Sequence, residues 1–172
     1  MNQVEINKDI KLSPHFTLGE LTKTSYHTLD GNIPSHVAIE NLRRLCQWLE
    51  GLREQYGKLK GSYREVIEKL KGQYFDIPLI VSSGFRSEAV NMKCGGAKNS
   101  NHLTGCAVDI CCDGPEQMII YAAILLNISH SGDSPLCENF DELILEKRGT
   151  TYWVHFAVRP KDNRRKILFD CR

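Results

Sequence analysis

The sequence predicts an α+β fold in which helices pack on a mainly antiparallel sheet. Ala38, Leu42, Leu45, Leu49 and Leu52 recur at spacings of four, three, four and three, which is one apolar stripe of a helix. The last third of the chain instead carries three β-type runs, at 141–146, 152–158 and 166–170. Helices first and strands later, without regular alternation, is the pattern of helices segregated from an antiparallel sheet.

The elements follow in order. Thr17-Leu-Gly-Glu20 is a capping box, Thr at the cap and Glu three residues on, and predicts a short helix at 17–23. Asp30-Gly31 signals a turn, and Ser35 precedes the striped helix at 36–56. Residues 57–73 are rich in charge, with only a weak stripe at Val66, Ile67 and Leu70, and read as a helical excursion near the surface. Pro78 to Ser83 predicts a short buried strand ending at Gly84, and Ser87 caps a helix that stops at Cys94-Gly95-Gly96. Residues 106–112 read as a strand. Asp113-Gly-Pro-Glu116 then opens a helix to about 127, with Asp at the cap, Pro in the first turn and Glu completing a capping box. A polar link at 129–135 leads to the three β-type runs, and Pro160-Lys-Asp-Asn163 suggests a hairpin between the last two. The basic residues Arg159, Lys161, Arg164, Arg165 and Lys166 read as a solvated face of that hairpin, or as an attractant for an acidic polymer.

The chain of 172 residues is about one domain's worth, so residues 1–172 are expected to form a single domain. Hydrophobic residues at 41% and charged residues at 25% exclude a disordered or fibrous chain. The net charge of +1 argues against a nucleic-acid partner, and the longest apolar stretch, 118–126, is too short for a membrane span. The N-terminus lacks an apolar secretory core, which predicts a chain made in the cytoplasm and not exported by the usual route. Seven cysteines, an odd count in such a chain, read as reduced and buried small hydrophobes. Cys111 and Cys112 are strand neighbours, face opposite sides and are poor candidates for one shared ion.

Chemistry concentrates at a few polar residues. His102 sits just before the 106–112 strand, and Asp109 sits inside it. His155 lies mid-strand, where alternation puts Trp153, His155 and Ala157 on one face and Tyr152, Val154, Phe156 and Val158 on the apolar one. Two imidazoles and one carboxylate leave a fourth position open on zinc, the arrangement of a catalytic rather than a closed structural site. A non-ligating carboxylate can serve as the base; Glu146 is the candidate, with Glu142 on the same strand face left open. Spacing alone does not separate this site from hydrogen-bonded structural histidines. The remaining histidines, at 15, 27, 36 and 130, read as solvated.

Several short signatures follow one another in order: Ser83-Gly-Phe-Arg-Ser87, Val90-Asn91, Gly95-Gly96, Ser100-x-His102, Gly105, Ala107-x-Asp109 and Trp153-Val-His155. Together they resemble the zinc D,D-carboxypeptidase-like murein peptidases, peptidase family M15, and in particular its small bacterial and phage members. The hedgehog signalling domain is a distant relation. The resemblance runs from Leu12 to Val158, including the opening Leu12-Ser-Pro-His-Phe-Thr-Leu-Gly-Glu-Leu21, and makes residues 57–73 a helical insertion.

The resemblance implies a D,D-peptidase-like or hedgehog-like fold and a Zn2+ ion on His102, Asp109 and His155. It implies that Arg86 holds a substrate carboxylate or the developing oxyanion, and that Glu146 is the catalytic acid and base. Many relatives place that acid three positions before the last ligand, where this chain has Tyr152. Trp153 stands where many have a histidine and is expected to wall the substrate; Ser100 is a candidate substrate contact, with capping a turn or supporting a ligand as equal alternatives. The implied reaction is hydrolysis of an amide in the peptidoglycan stem peptide, of the D-Ala–D-Ala or L-Ala–D-Glu type. The setting is cell-wall lysis or remodelling, by a phage or prophage lysin after release or by part of a virion. The alternative is a zinc-containing wall-binding or structural module that does not cleave. The oligomeric state is left open, with a monomer favoured.

Overall fold

The computed structural model describes residues 7–71, 78–130 and 139–171, with side chains described outside 60–71. The helices are α1 (Leu18–Leu21), α2 (His36–Lys71), α3 (Glu88–Lys93) and α4 (Pro115–His130). The strands are β1 (Val81–Ser83), β2 (Ala107–Cys112), β3 (Glu142–Arg148), β4 (Thr151–Ala157) and β5 (Lys166–Cys171). They form one sheet in the order β1-β2-β4-β3-β5, antiparallel except for the β3–β5 pair. The fold is therefore α+β with a mainly antiparallel sheet. Among the described residues no helix is long and apolar enough to cross a membrane.

Both capping expectations hold at the first helices. The Thr17 side chain accepts from the Glu20 backbone N–H while the Glu20 carboxylate accepts from that of Thr17. Ser35 Oγ accepts from the Ala38 N–H at 3.2 Å, the first turn of α2. The expected stripe is buried, and Trp48 joins it, its ring centroid 5.1 Å from that of Phe156 on β4. The α2 stripe, the inner face of α4 (Tyr121, Leu125) and the residues Val108, Ile110, Leu143, Leu145, Val154 and Phe156 of the sheet form one hydrophobic cluster. Each such fully buried side chain contributes about 1.5–3 kcal/mol. The opposite face of the sheet carries the polar residues.

Several elements depart from the sequence reading. Helix α2 continues unbroken past 56 to Lys71, so the expected helical excursion prolongs the same helix; the Lys, Leu, Arg and Glu residues of this stretch outweigh Gly57 and Gly61, and Glu54 and Lys58 pair at 2.6 Å one turn apart. The end of the charged segment, 72–73, and the polar link beyond His130 lie outside the described residues. Helix α4 runs three residues further than expected, to His130. At its start the Asp113 N–H donates to Gln117 Oε1 at 2.7 Å, so Gln117 rather than Glu116 reaches back to the preceding loop. The strand expected at 78–83 is paired only over Val81–Ser83 and is a half-exposed edge, not a buried strand.

The expected hairpin at Pro160–Asn163 does not form. β5 crosses beyond β4 and pairs parallel with β3, Glu142 opposite Lys166 through Lys147 opposite Cys171. The cause is Asp141, whose buried carboxylate accepts from Arg164 at 2.8 and 2.6 Å and lies 3.0 Å from Arg159. The backbone N–H of Arg165 donates to Phe140 O and that of Lys166 to Asp141 O, which lays the chain along β3. Arg159 and Arg164 are thus bound to an internal carboxylate and are not a solvated basic face.

The thiols also divide. Cys46 and Cys106 are buried as expected, Cys111 and Cys112 are half-buried, and Cys94 and Cys171 are exposed. Among the solvated histidines expected, His15 and His130 are exposed but bonded, His15 Nδ1 to Glu50 at 2.7 Å and His130 Nδ1 to Leu126 O at 2.7 Å.

Candidate active site

The site is assembled where β2 meets β4. Asp109 pairs directly with His155 across the two strands, so alternation sends both side chains to the polar face. His102 comes from a 3-10 helix, Asn101–Thr104, just before β2. Ser100 caps that turn, its Oγ accepting from the His102 N–H at 3.3 Å. Gly105 ends it in the left-handed region at φ +71°, and a Cβ there would sit 2.5 Å from Ala38 O of α2. Asn41 of α2 completes the anchor, donating through Nδ2 to Thr104 O at 2.9 Å.

Three donor atoms converge. His102 Nε2 lies 3.2 Å from His155 Nδ1 and 3.3 Å from Asp109 Oδ1, and the last two are 2.9 Å apart. All three residues are buried. Metal–ligand bonds of about 2.0–2.1 Å in a tetrahedral site place donors roughly 3.3 Å apart, so this triangle fits one face of such an ion.

Each donor also has a partner behind it. His102 Nδ1 lies 2.6 Å from Gly84 O; a carbonyl only accepts, so Nδ1 carries the hydrogen and Nε2 keeps its lone pair for a ligand. His155 Nε2 is 3.7 Å from Glu142 Oε2, which leaves Nδ1 to the cluster. Asp109 Oδ2 accepts from Arg86 Nη2 at 2.5 Å, and Arg86 Nε donates to Ser83 Oγ at 2.7 Å. The residues therefore fit a metal ion by donor chemistry, spacing and backing.

The electrostatics follow from this packing. Burial would raise the Asp109 carboxyl, but when no metal takes their lone pairs the imidazoles of His102 and His155 can protonate, and their charge and hydrogen bonds then hold it well below its ordinary value. Glu142 is held down at about 2 by the His155 imidazole 3.7 Å away, against burial and with help from Arg164. Glu146 goes the other way: burial raises it, the Trp153 hydrogen bond opposes the rise, and the Asp109 charge adds to it.

Glu142, Ile144 and Glu146 share the polar face of β3, with Ile144 opposite His155. The two carboxylates therefore flank His155 on opposite diagonals. Glu146 stands opposite Trp153, whose Nε1 donates to its Oε2 at 2.5 Å. Tyr152 faces the core side of β4, packed on the hydrophobic cluster, and cannot reach the donors.

Several of these partners were not visible as such in the sequence. Gly84 acts through its carbonyl, which no side-chain pattern reveals. Asn101 donates to both Asp141 Oδ2 and Glu142 Oε2, at 2.8 and 2.9 Å. Its only sequence signal is its place beside His102. Arg86 and Ser100 both support donor residues, Arg86 through Asp109 and Ser100 through the turn that carries His102.

Comparison with known proteins adds a family. The model of a family described as Peptidase M15 matches residues 62–127, a span that includes Arg86, Ser100, His102 and Asp109. No curated protein matches the chain. That match agrees with the ordered motifs and with the donor cluster they build, and it supports the assignment of this chain to the peptidase M15 family.

Proposed function

We propose that this protein is a zinc metallopeptidase that hydrolyses an amide bond in peptidoglycan stem peptides. The observation that carries the reading is the triangle of His102 Nε2, Asp109 Oδ1 and His155 Nδ1, with the burial-raised carboxyl of Glu146 on the adjoining strand. Two imidazoles and a carboxylate are the ligand set of open, catalytic zinc sites. When bound, zinc supplies Lewis acidity to the scissile carbonyl and brings the pKa of water to roughly 7.

The chain's own residues do the rest. Glu146 Oε2 is held by Trp153, so Oε1 is the oxygen that takes the proton of the attacking water. Its raised pKa suits passing that proton on to the leaving amine. Glu142, held as a carboxylate by His155 and Arg164, orients the imidazole and is a poor proton carrier. Arg86 keeps Asp109 turned toward the cluster through Nη2; its remaining nitrogen, Nη1, is the group to grip a substrate carboxylate. Trp153 both steadies Glu146 and walls the substrate side. The setting that fits the family resemblance is wall lysis by a phage or prophage lysin, or by part of a virion.

A non-catalytic zinc module would need no proton carrier, and the position that carries the acid in many relatives is Tyr152 here. Tyr152 faces the core, and the carboxyl of Glu146 on β3, raised by burial, is what favours the catalytic reading. Purified peptidoglycan incubated with the protein should release fragments whose masses identify the bond, and elemental analysis should find one zinc per chain. Stoichiometric zinc with an intact peptidoglycan digest would favour the binding module; no zinc would overturn the site.

A further inference from the structure

β5 ends the sheet order, with β3 on one side and, among the described residues, no strand on the other. The Lys166 N–H donates to Asp141 O at 2.9 Å, so in this parallel ladder Lys166, Leu168 and Asp170 turn their backbone groups toward β3. Ile167 and Phe169 turn theirs outward. The same stretch is apolar and open: Ile167 is 44% exposed, Leu168 40% and Phe169 73%. An edge with unpaired backbone groups, no proline and exposed apolar residues is a template for another strand.

The sequence of this edge is complementary to itself. Run antiparallel against a second copy and centred on Leu168, Lys166-Ile-Leu-Phe-Asp170 sets Lys166 opposite Asp170, Ile167 opposite Phe169 and Leu168 opposite Leu168. Backbone polarity agrees with this register. Ile167 and Phe169, whose groups point outward, become the hydrogen-bonded pairs. Lys166 and Asp170 become the non-hydrogen-bonded pairs, whose side chains lie closest together. Within the chain Lys166 Nζ is 3.6 Å from Glu142 Oε1, a long contact that leaves it able to reach across as well. A slip of two residues, the next that backbone polarity allows, would set Leu168 against a charge. A parallel in-register pairing would set Lys166 against itself.

We propose that β5 is a dimerisation edge, joining two copies of this chain antiparallel about a two-fold axis at Leu168. The sheet then runs unbroken across both copies. Lys166, Leu168 and Asp170 share the face of Glu142, Ile144 and Glu146, so both donor clusters open on the same side of the joined sheet. The inference is independent of the catalytic reading.

Sedimentation of the purified full chain in reducing buffer, which excludes cross-links through exposed Cys94 and Cys171, tests it. A reversible monomer–dimer equilibrium is expected. Lys166→Asp and Asp170→Lys should each raise the dissociation constant at least tenfold, because each sets like charges opposite one another. An equimolar mixture of the two variants should regain association, since every cross-strand pair is then of opposite sign. As a check that does not reverse charge, Leu168→Cys in a Cys94→Ser, Cys171→Ser background should oxidise to a covalent dimer, the axial pair lying within disulfide reach. A strictly monomeric wild type, charge variants that dimerise like wild type, or a mixture of folded variants that stays monomeric would each overturn the proposal.

Discussion

Glu142 and Glu146 leave the same face of β3 two alternations apart, yet their surroundings shift their carboxyls in opposite directions. His155, Asn101 and Arg164 crowd Glu142 and fix it as a carboxylate. Glu146 meets a single indole N–H and a buried surround that favours its protonated form. Glu146→Gln preserves size and the contact with Trp153 but removes the base. It should keep zinc and melting temperature while hydrolysis falls about 10²–10⁴-fold, measured on stem peptides; undiminished turnover would place the base elsewhere. Arg86 makes a second case. Its fork joins Asp109 Oδ2 and Ser83 Oγ at once, which a lysine ammonium on a flexible stem does not reproduce. Arg86→Lys should fold and lose about 10–100-fold in metal affinity, the usual effect of removing a partner behind a ligand. Competition with a chromophoric chelator reads this directly, and an unchanged affinity would reduce Arg86 to a substrate contact.

The segment 84–86 and the 3-10 helix Asn101–Thr104 hold each other by reciprocal bonds. His102 Nδ1–H donates to Gly84 O, and the Arg86 N–H donates to His102 O at 3.1 Å. This clasp needs close approach: a Cβ on Gly84 would lie 2.2 Å from Leu21 O of α1, and the Phe85 N–H donates to that same oxygen. Gly84→Ala must push the segment off α1. It should cost about 1–3 kcal/mol in denaturant unfolding and weaken metal binding by displacing the carbonyl that orients His102. Asp141 plays the matching part at the far end, joining the start of β3 to the loop that delivers β5. Burial opposes its ionisation, but Arg164, Asn101 and Arg159 bring its pKa down to about 2 from 3.8. A folded value below the unfolded one contributes stability that is full above about pH 4 and lost as pH falls toward 2. The contribution is about 2 kcal/mol, and denaturant unfolding midpoints of wild type and Asp141→Asn, measured at a series of pH values, should converge as pH falls through that window. Midpoints that stay equally far apart at both ends of the window would contradict the assignment.

Across the whole molecule the apolar side of the sheet packs on α2 and α4 while the polar side builds the site, so the donors are set by the same strand register that makes the core. A metal that binds only this folded arrangement stabilises it. Ligand at about a thousand times its dissociation constant is worth about 4 kcal/mol. A chain of this size gains about 2–4 °C per kcal/mol, so chelation should lower Tm by about 10 °C. His102→Ala should show the lower Tm with or without chelator. Equal melting of wild type with and without chelator would mean that no ion is held at the triangle.

The sequence by itself determined the local and periodic features. The α2 stripe, the caps at Thr17, Ser35 and Ser87, and the alternation that puts His155 opposite the core side of β4 all depend on neighbours within a few residues. The ordered motifs placed His102, Asp109 and His155 in one site for the same reason: the residue types and their order are written in the chain. Tertiary structure alone decided what those residues touch. What Arg86 donates to, which carboxylate of β3 Asn101 and Arg164 hold, and whether β5 returns beside β4 or crosses to β3 each depend on contacts between distant segments. Buried Asp141 bears on the last of these, because its carboxylate holds Arg159 and Arg164 together at the start of β3. Local periodicity carries no record of such long-range polar pairing, and only the tertiary structure brings three metal-binding residue types, spread over the sequence, into one cluster.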